Sequence, residues 1–334
     1  MSNAQRLSMH AITVNAALLG CAALVLAGAC ANAMAQTFPA KPIRIVVSFP
    51  PGAGTDLIAR LLGRDMQESF GQPVVVENRP GAAGNIATEI VAKSPADGYT
   101  LLMVNSTFAS NVALFPNFPY DPIRHFAPIA LLGGSPLLIA ASPASGIESL
   151  KDLITRARAQ PGKFTYASCG NGGPPHIVGE QFMRLHRLDV AHVPYKGCGP
   201  ATTDTISGQV PILFTNMSSA VAFIPSGKIR PLAVALNKRS VLAPAVPTVA
   251  ELGLGELDAD LWFGLVAPAG TPLDTIAKLN RETVRVLSLR DVREKLQAQT
   301  VEPRPGTPAE FAAYIKSEVA RYTALIRELG IKAD

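Results

Sequence analysis

The stretch Arg44-Ile-Val-Val-Ser-Phe-Pro-Pro-Gly-Ala-Gly-Thr-Asp56 decides the fold. Its apolar run over 43–47 reads as a buried strand, and Pro50-Pro51-Gly52 reads as a turn. A helix pattern follows at once, with Leu57, Ile58, Leu61, Leu62 and Met66 at helical spacing. Gly52 and Gly54 let the backbone take left-handed or crowded conformations. Thr55 reads as the N-cap. A strand that turns directly into a helix leaves unpaired backbone N–H groups at the positive end of the helix dipole, a seat for an anion. The loop carries no reactive group and so reads as a gripping device.

The same pattern recurs outward from this stretch. A helix over 55–70 leads to a strand at 73–77, a glycine-rich turn at 78–84, a short helix near 85–93 and a strand at 99–104. Successive βαβ units predict a mostly parallel sheet. Ligands bind beyond the carboxyl ends of such strands, so the loops at 49–56, 78–85 and 105–111 form the functional edge of the first domain. A second alternating series begins near 136. Ser149 with Asp152 opens a helix with a capping-box pattern. A strand at 164–168 enters Cys169-Gly-Asn-Gly-Gly-Pro-Pro-His176 and a helix to about 186. A strand at 191–195 enters Lys196-Gly-Cys-Gly-Pro200 and a helix to 207, and strands at 210–215 and 229–236 complete the set. Beyond a Pro/Gly-rich loop over 237–258, a strand at 261–268 precedes helices at 272–289, 292–298 and 307–329. Thr307-Pro-Ala-Glu310 combines an N-cap, an N1 proline and a capping-box acid. The tail has too few strands for its own sheet and is expected to pack back on the first domain. The expected organisation is therefore lobe 1 over 36–134 and 261–334, lobe 2 over 135–260, joined by two crossings.

Composition fits this reading. The 334 residues are 48% hydrophobic and 16% charged, which describes a compact chain rather than a disordered one. The first 35 residues differ from the rest: Arg6 is their only Lys or Arg, they hold no acid, and Ala33-Met34-Ala35 precedes Gln36. They read as a cleaved secretory signal peptide. An anchoring helix is the rival, but the small-residue tail and cleavage motif argue against it, and Leu18-Leu-Gly-Cys21 resembles a lipidation site only loosely. Losing Arg6 lowers the formal charge of +5 by one. Such a mildly basic surface suits small anions and is too diffuse for nucleic acid. Cys21 and Cys30 leave with the leader. Cys169 and Cys198 remain, in a compartment that permits disulfides. Each follows a predicted strand on the same edge, so they are expected to bridge, with two unpaired thiols as the alternative.

The chain resembles the substrate-binding proteins of tripartite tricarboxylate transporters, the Bug family. The matching runs are Pro42-Ile-Arg-Ile-Val-Val47, Phe49-Pro-Pro-Gly-Ala-Gly-Thr-Asp56, Gly71-Gln-Pro-Val-Val-Val-Glu-Asn-Arg-Pro-Gly81 and Asp97-Gly-Tyr-Thr-Leu-Leu102. They continue with Pro119-Tyr-Asp-Pro122, Pro161-Gly-Lys-Phe-Thr-Tyr-Ala-Ser168, His192-Val-Pro-Tyr-Lys-Gly197 and Trp262-Phe-Gly-Leu-Val-Ala-Pro-Ala-Gly-Thr-Pro272. The resemblance implies a type II periplasmic binding protein fold, two α/β lobes closing on a small carboxylate-bearing ligand, with no cofactor and no catalysis. It also implies a periplasmic monomer delivering its ligand to a transporter with one large and one small membrane subunit.

Carried residue by residue, the resemblance makes Pro51, Gly52, Ala53, Gly54, Thr55 and Asp56 the ligand-carboxylate loop, acting through backbone N–H groups and bound water. The family usually has a third glycine where Ala53 stands. Ser106 and Thr107 stand at the same edge, where their hydroxyls either donate to a carboxylate or cap a helix. In lobe 2 the counterpart is Gly170–His176. Here Gly172 and Gly173 stand where the family tends to have Gly-Ser, which removes a hydroxyl donor and points to a different ligand. His176 either touches the ligand or satisfies nearby backbone. Tyr195, Lys196, Gly197 and Asp204 match a third cleft segment; Asp204 suits an ammonium, a hydroxyl or a water, or else orients its loop. Asn216 ends a strand at the same edge. His176, His186 and His192 lack metal-ligand spacing, so no metal site is expected.

Two other functions fit parts of the sequence. One is a secreted thiol hydrolase using Cys169 with His176 or His192, although G-x-S-x-G, H-E-x-x-H and P-loop motifs are all missing. The other is a binding subunit that signals to a membrane sensor.

Overall fold

A computed structural model describes residues 38–52, 54–115, 118 and 120–332. The expected leader with Cys21 and Cys30, together with Ala53 and Pro119, lies outside the described residues. From Lys41 onward the chain folds as one compact unit.

Its strands are β1 (Ile43–Val47), β2 (Val74–Asn78), β3 (Thr100–Asn105), β4 (Phe126–Ala141), β5 (Phe164–Ser168), β6 (Val190–Pro194), β7 (Ile212–Asn216), β8 (Arg230–Val234), β9 (Asp260–Pro268) and β10 (Glu302–Pro303). The helices are α1 (Gly54–Phe70), α2 (Asn85–Ala92), α3 (Thr107–Leu114), α4 (Leu150–Ala159), α5 (Pro174–His186), α6 (Cys198–Ile206), α7 (Met217–Ala220), α8 (Leu273–Ser288), α9 (Arg290–Ala298) and α10 (Pro308–Leu329). Helix α1 begins at Gly54, so Thr55 sits inside the first turn and is not the N-cap anticipated from sequence.

The sheet order β2-β1-β3-β9-β4-β7-β5-β6 contains one arrangement twice. In the first lobe β1 pairs in parallel with β2 and β3, and β9 joins β3 antiparallel. In the second, β5 pairs in parallel with β6 and β7, and β4 joins β7 antiparallel. The expectation of a mostly parallel sheet therefore needs correction. Each half is a parallel trio, and the centre is antiparallel because β4 and β9 run against each other and against their outer neighbours. Strand β4 is 16 residues long. Phe126 to Pro136 pair with β9, while Leu137 to Ala141 pair with β7, so one strand serves both lobes.

Each lobe encloses apolar side chains. In the first, Trp262 is fully buried, meets Phe311 of α10 edge-on at 5.9 Å, and donates its indole N–H to Glu318 Oε2 at 2.9 Å. In the second, Tyr166, Phe182, Phe214 and Ile139 share a cluster with Leu150 and Leu153 of α4. Burying each such side chain contributes about 1.5–3 kcal/mol. The helix starts follow their sequence signals. Ser149 Oγ accepts from Asp152 N–H, and Thr307 and Glu310 form a complete capping box at α10. Helix α10 packs mainly on the first lobe but also reaches the second, where Arg184 donates to the Glu328 carbonyl at 2.6 Å.

Candidate functional site

The strand order places the site. In each parallel trio the chain leaves the central strand to one side and returns to the other, so the order reverses between β1 and β3 and again between β5 and β7. Ligands of open α/β sheets bind at the carboxyl ends of the strands where the order reverses. The described residues there are 48–52, Gly54 and Ser106 in the first lobe, and 169–173 and Asn216 in the second.

The first-lobe loop is held from behind by Asp56, which is 1% exposed. Its Oδ2 accepts from Gly52 N–H at 2.9 Å and from Arg60 Nε at 3.0 Å, and its Oδ1 accepts from Asn78 Nδ2 at 2.8 Å. Asn78 also donates to the Phe49 carbonyl at 3.0 Å, fixing the other end of the turn. Burial alone would raise the Asp56 carboxyl. The bonds from Arg60, Gly52 and Asn78 outweigh it and hold the group below the ordinary carboxylate value. Asp56 thus shapes the loop, and the Gly52 N–H is already committed to it, while Thr55 is buried in the first turn of α1. Asn78 and Arg60 are structural partners that the sequence reading missed.

At the end of β3, Asn105 Oδ1 accepts from both the backbone N–H and the hydroxyl of Thr107, at 2.9 and 2.6 Å. The Thr107 hydroxyl is therefore committed to Asn105. Ser106 is completely buried, and its Oγ has no hydrogen-bond partner. Asn216, at the end of β7, likewise has a buried Oδ1 without one. Buried polar atoms are normally satisfied; Ser142 Oγ, Asp260 Oδ2 and Tyr322 OH also lack a hydrogen-bond partner, and Ser106 and Asn216 are the two of these residues that stand at equivalent strand ends.

The second-lobe loops are tied to each other. Cys169 and Cys198 form a disulfide. Gly197 N–H donates to the Cys169 carbonyl at 3.1 Å, and Tyr195 N–H to the Ser168 carbonyl at 3.2 Å. His176 Nδ1 accepts from Gly172 N–H at 2.9 Å, so this histidine satisfies backbone, much as Asp56 does in the first lobe. Its ring stacks on His192 at 3.8 Å, and His192 Nε2 meets Ser168 Oγ at 2.7 Å. The His176 side chain, with a bond from Tyr166, holds Glu180 below its ordinary value despite burial. Gly172 has φ +69°, and a Cβ there would lie 2.5 Å from Leu114 of the first lobe. Gly172 thus makes room for that contact across the lobes, whereas a Cβ at Gly173 would meet nothing closer than 3.7 Å.

A cavity of about 340 Å³ opens between the lobes, lined by Ala83, Leu114 and Phe115 on one side and by Asn171, Pro194, Tyr195 and Lys196 on the other. Of the residues singled out from sequence, Tyr195 and Lys196 line it. The other described residues singled out from sequence do not line it. Leu114 and Phe115 were not anticipated: α3 runs over Thr107–Leu114, where the sequence reading placed a loop at 105–111. Lys196 is exposed. Asp204 accepts from the Tyr195 hydroxyl at 2.7 Å, which assigns it to orienting the loop. Burial and that bond push the Tyr195 hydroxyl up to about 12. Among the described residues no group of His, Cys, Asp and Glu could hold a metal ion.

Two α/β lobes, each with a strand-end loop at its switch point and a cleft between them, define the type II periplasmic binding protein class. A family model described as "Tripartite tricarboxylate transporter family receptor" matches residues 58–331. The chain is 40% identical over 311 residues to protein BugT of Bordetella pertussis, covering 92% of this chain and 95% of that one. Among solved structures it is similar to an R. palustris protein with adipate (TM-score 0.82, 32% identity, 88% of this chain and 99% of that chain). It is also similar to MatC of Rhodopseudomonas palustris with bound malate (TM-score 0.78, 33% identity, 86% and 100%). The chain belongs to the tripartite tricarboxylate transporter receptor family.

Proposed function

We propose that this protein is a periplasmic solute receptor that captures a small carboxylate by closing its two lobes and delivers it to the large and small membrane subunits of a tripartite tricarboxylate-type transporter. The observation that carries this reading is the pair of equivalent switch points, each offering a buried polar atom without a partner, Ser106 Oγ and Asn216 Oδ1. The lobes divide at 134/135 and 260/261. In support, Ser135 and Pro136 make the last pairings of β4 with β9, and Leu137 begins its pairing with β7. The loop at Pro51–Asp56 with Ser106 is one jaw; Gly172, Gly173, Gly197, Lys196 and Asn216 belong to the other. The signal peptide reading of residues 1–35 is consistent with this assignment. The receptor acts as a monomer without catalysis, and the disulfide removes the Cys169 thiol that a hydrolase would need. The family relationship and the carboxylates held by two structural relatives support the ligand class.

The test is thermal unfolding with mono-, di- and tricarboxylates. A ligand at a hundredfold excess over its Kd stabilises the folded state by about 2.7 kcal/mol, a clear upward shift in Tm. No shift with any carboxylate would refute the receptor reading.

A further inference from the structure

The two loops that form the second-lobe wall of the cavity are not held equally. The loop after β5 has supports of its own. Gly170 N–H donates to Ser168 Oγ at 3.3 Å, Gly172 N–H to His176 Nδ1 at 2.9 Å, and Asn171 Nδ2 to the Lys332 carbonyl at 3.0 Å. Cys169 Sγ also lies 3.5 Å from the hydroxyl of Thr215, a fully buried residue of β7. The loop after β6 hangs from this first loop. Tyr195 N–H donates to the Ser168 carbonyl at 3.2 Å, Gly197 N–H donates to the Cys169 carbonyl at 3.1 Å, and Cys198 is bonded to Cys169. Tyr195 and Lys196, which this loop gives to the cavity wall, stand between those ties.

The hanging loop has little else to fix its path. Among the described residues, a Cβ placed on Gly197 or on Gly199 would meet no atom within 4 Å. Gly197 has φ +114°, a conformation that residues with side chains rarely adopt. A glycine on each side of Cys198 opens many backbone paths, and conformational entropy opposes the single one that lines the cleft. The Cys169–Cys198 bridge removes that freedom at the side of the loop away from β6.

Resting on the receptor reading, we propose that the Cys169–Cys198 disulfide is a positioning element of the cleft. It holds the 195–199 loop, and with it Tyr195 and Lys196, in the arrangement that binds a carboxylate, so affinity falls when the bridge is reduced. A dithiol opens the bridge by two-electron exchange. Its thiolate attacks one sulfur, its second thiol closes it into its own disulfide, and the two protons it gives up leave Cys169 and Cys198 as thiols.

The first test needs no ligand. Amide exchange is followed by NMR in the oxidised protein, in the same protein reduced by dithiothreitol, and in the Cys169→Ser/Cys198→Ser double variant. Opening the bridge should speed exchange at Tyr195 and Gly197 at least tenfold, while the Gly172 amide, held by His176, keeps its rate. The second test is titration calorimetry with adipate, malate and citrate. Each probe that binds the oxidised protein should bind the reduced and double-variant forms at least tenfold more weakly. Thr307→Ala, which lowers stability far from these loops, should leave that affinity unchanged. Coupling is reciprocal, so saturating probe should make the bridge correspondingly harder to reduce, by about 30 mV for each tenfold in affinity. A bridge that serves stability alone would move neither the affinity of the folded protein nor this potential. Equal affinity in both redox forms, an unmoved potential or unchanged exchange at Gly197 would overturn the inference while the receptor reading stands. Unfolding of both the reduced protein and the double variant would overturn it too, since the bridge would then hold the lobe and not the loop. Absence of binding by all three probes together with a flat thermal screen would overturn the receptor reading, and the exchange rates would still decide whether the bridge positions the loop.

Discussion

Replacing Asp56 by asparagine tests how the first-lobe loop is held. The carboxylate now serves three donors: Gly52 N–H and Arg60 Nε on one oxygen, and Asn78 Nδ2 on the other. Asparagine keeps one acceptor and presents an NH2 where the second oxygen stood, so at least one buried donor faces another donor. An unsatisfied buried group costs about 1–3 kcal/mol, and the surviving bonds lose the extra strength of a charged acceptor. Arg60 is half-exposed, so its ion pair adds only about 0.2–1 kcal/mol. The expected destabilisation of Asp56→Asn is roughly 2–4 kcal/mol. The pH dependence has a definite sign. The folded Asp56 carboxyl lies below its ordinary value. Its stabilisation is therefore complete above the unfolded carboxyl value of about 3.9 and is lost as the pH falls through the depressed folded value. Urea unfolding at pH 7, repeated stepwise into acid, should show the wild-type advantage shrinking below about pH 4. A loss smaller than about 0.5 kcal/mol at pH 7 is typical of an indifferent surface position and would refute the loop-anchoring argument.

Three further outcomes are expected. In Gly264→Ala, the new Cβ would run into the Phe311 ring of α10, so the urea midpoint should fall by an amount equivalent to about 1–3 kcal/mol; an unchanged midpoint would show that the ring moves aside freely. Thr307→Ala removes the side chain that accepts from Glu310 N–H and breaks the capping box, with an expected loss of about 1 kcal/mol and faster hydrogen exchange in the first turn of α10. Ala83 has φ +53°, a left-handed conformation costing a side-chain-bearing residue about 1–2 kcal/mol, so Ala83→Gly should be neutral or stabilising despite the extra freedom of the unfolded chain; clear destabilisation would contradict that backbone assignment.

Local pattern made much of the first lobe legible. The run from Ile43 to Asp56 announced a strand, a turn and a helix, because apolar spacing and Pro/Gly punctuation act within a few residues. The starts of α4 and α10 were legible for the same reason, through Ser149 and Thr307. The first half of β4 was not. Pro128, Gly133, Gly134 and Pro136 interrupt any strand pattern, and irregular pairing with β9, shifted at two points, is what makes the segment a strand. The antiparallel centre of the sheet was hidden likewise, since β3 meets β9 across more than 150 residues of chain. At the site, residue types pointed to the correct loops but not to the internal partners. Asp56 and Asp204 looked free to meet a ligand, and only their geometry shows Gly52, Asn78 and Tyr195 claiming them. Phe115 gave no signal, because the helix that precedes it was not read from the sequence.

The place of β9 between β3 and β4 also sets an order of assembly. Until Pro268 has been synthesised, the first lobe lacks the strand that joins β3 to the rest of its sheet, and the pocket that will receive Trp262 stands open. The nascent chain must therefore complete the whole second lobe's sequence before its first lobe can close. It stays short of a finished fold for most of its synthesis.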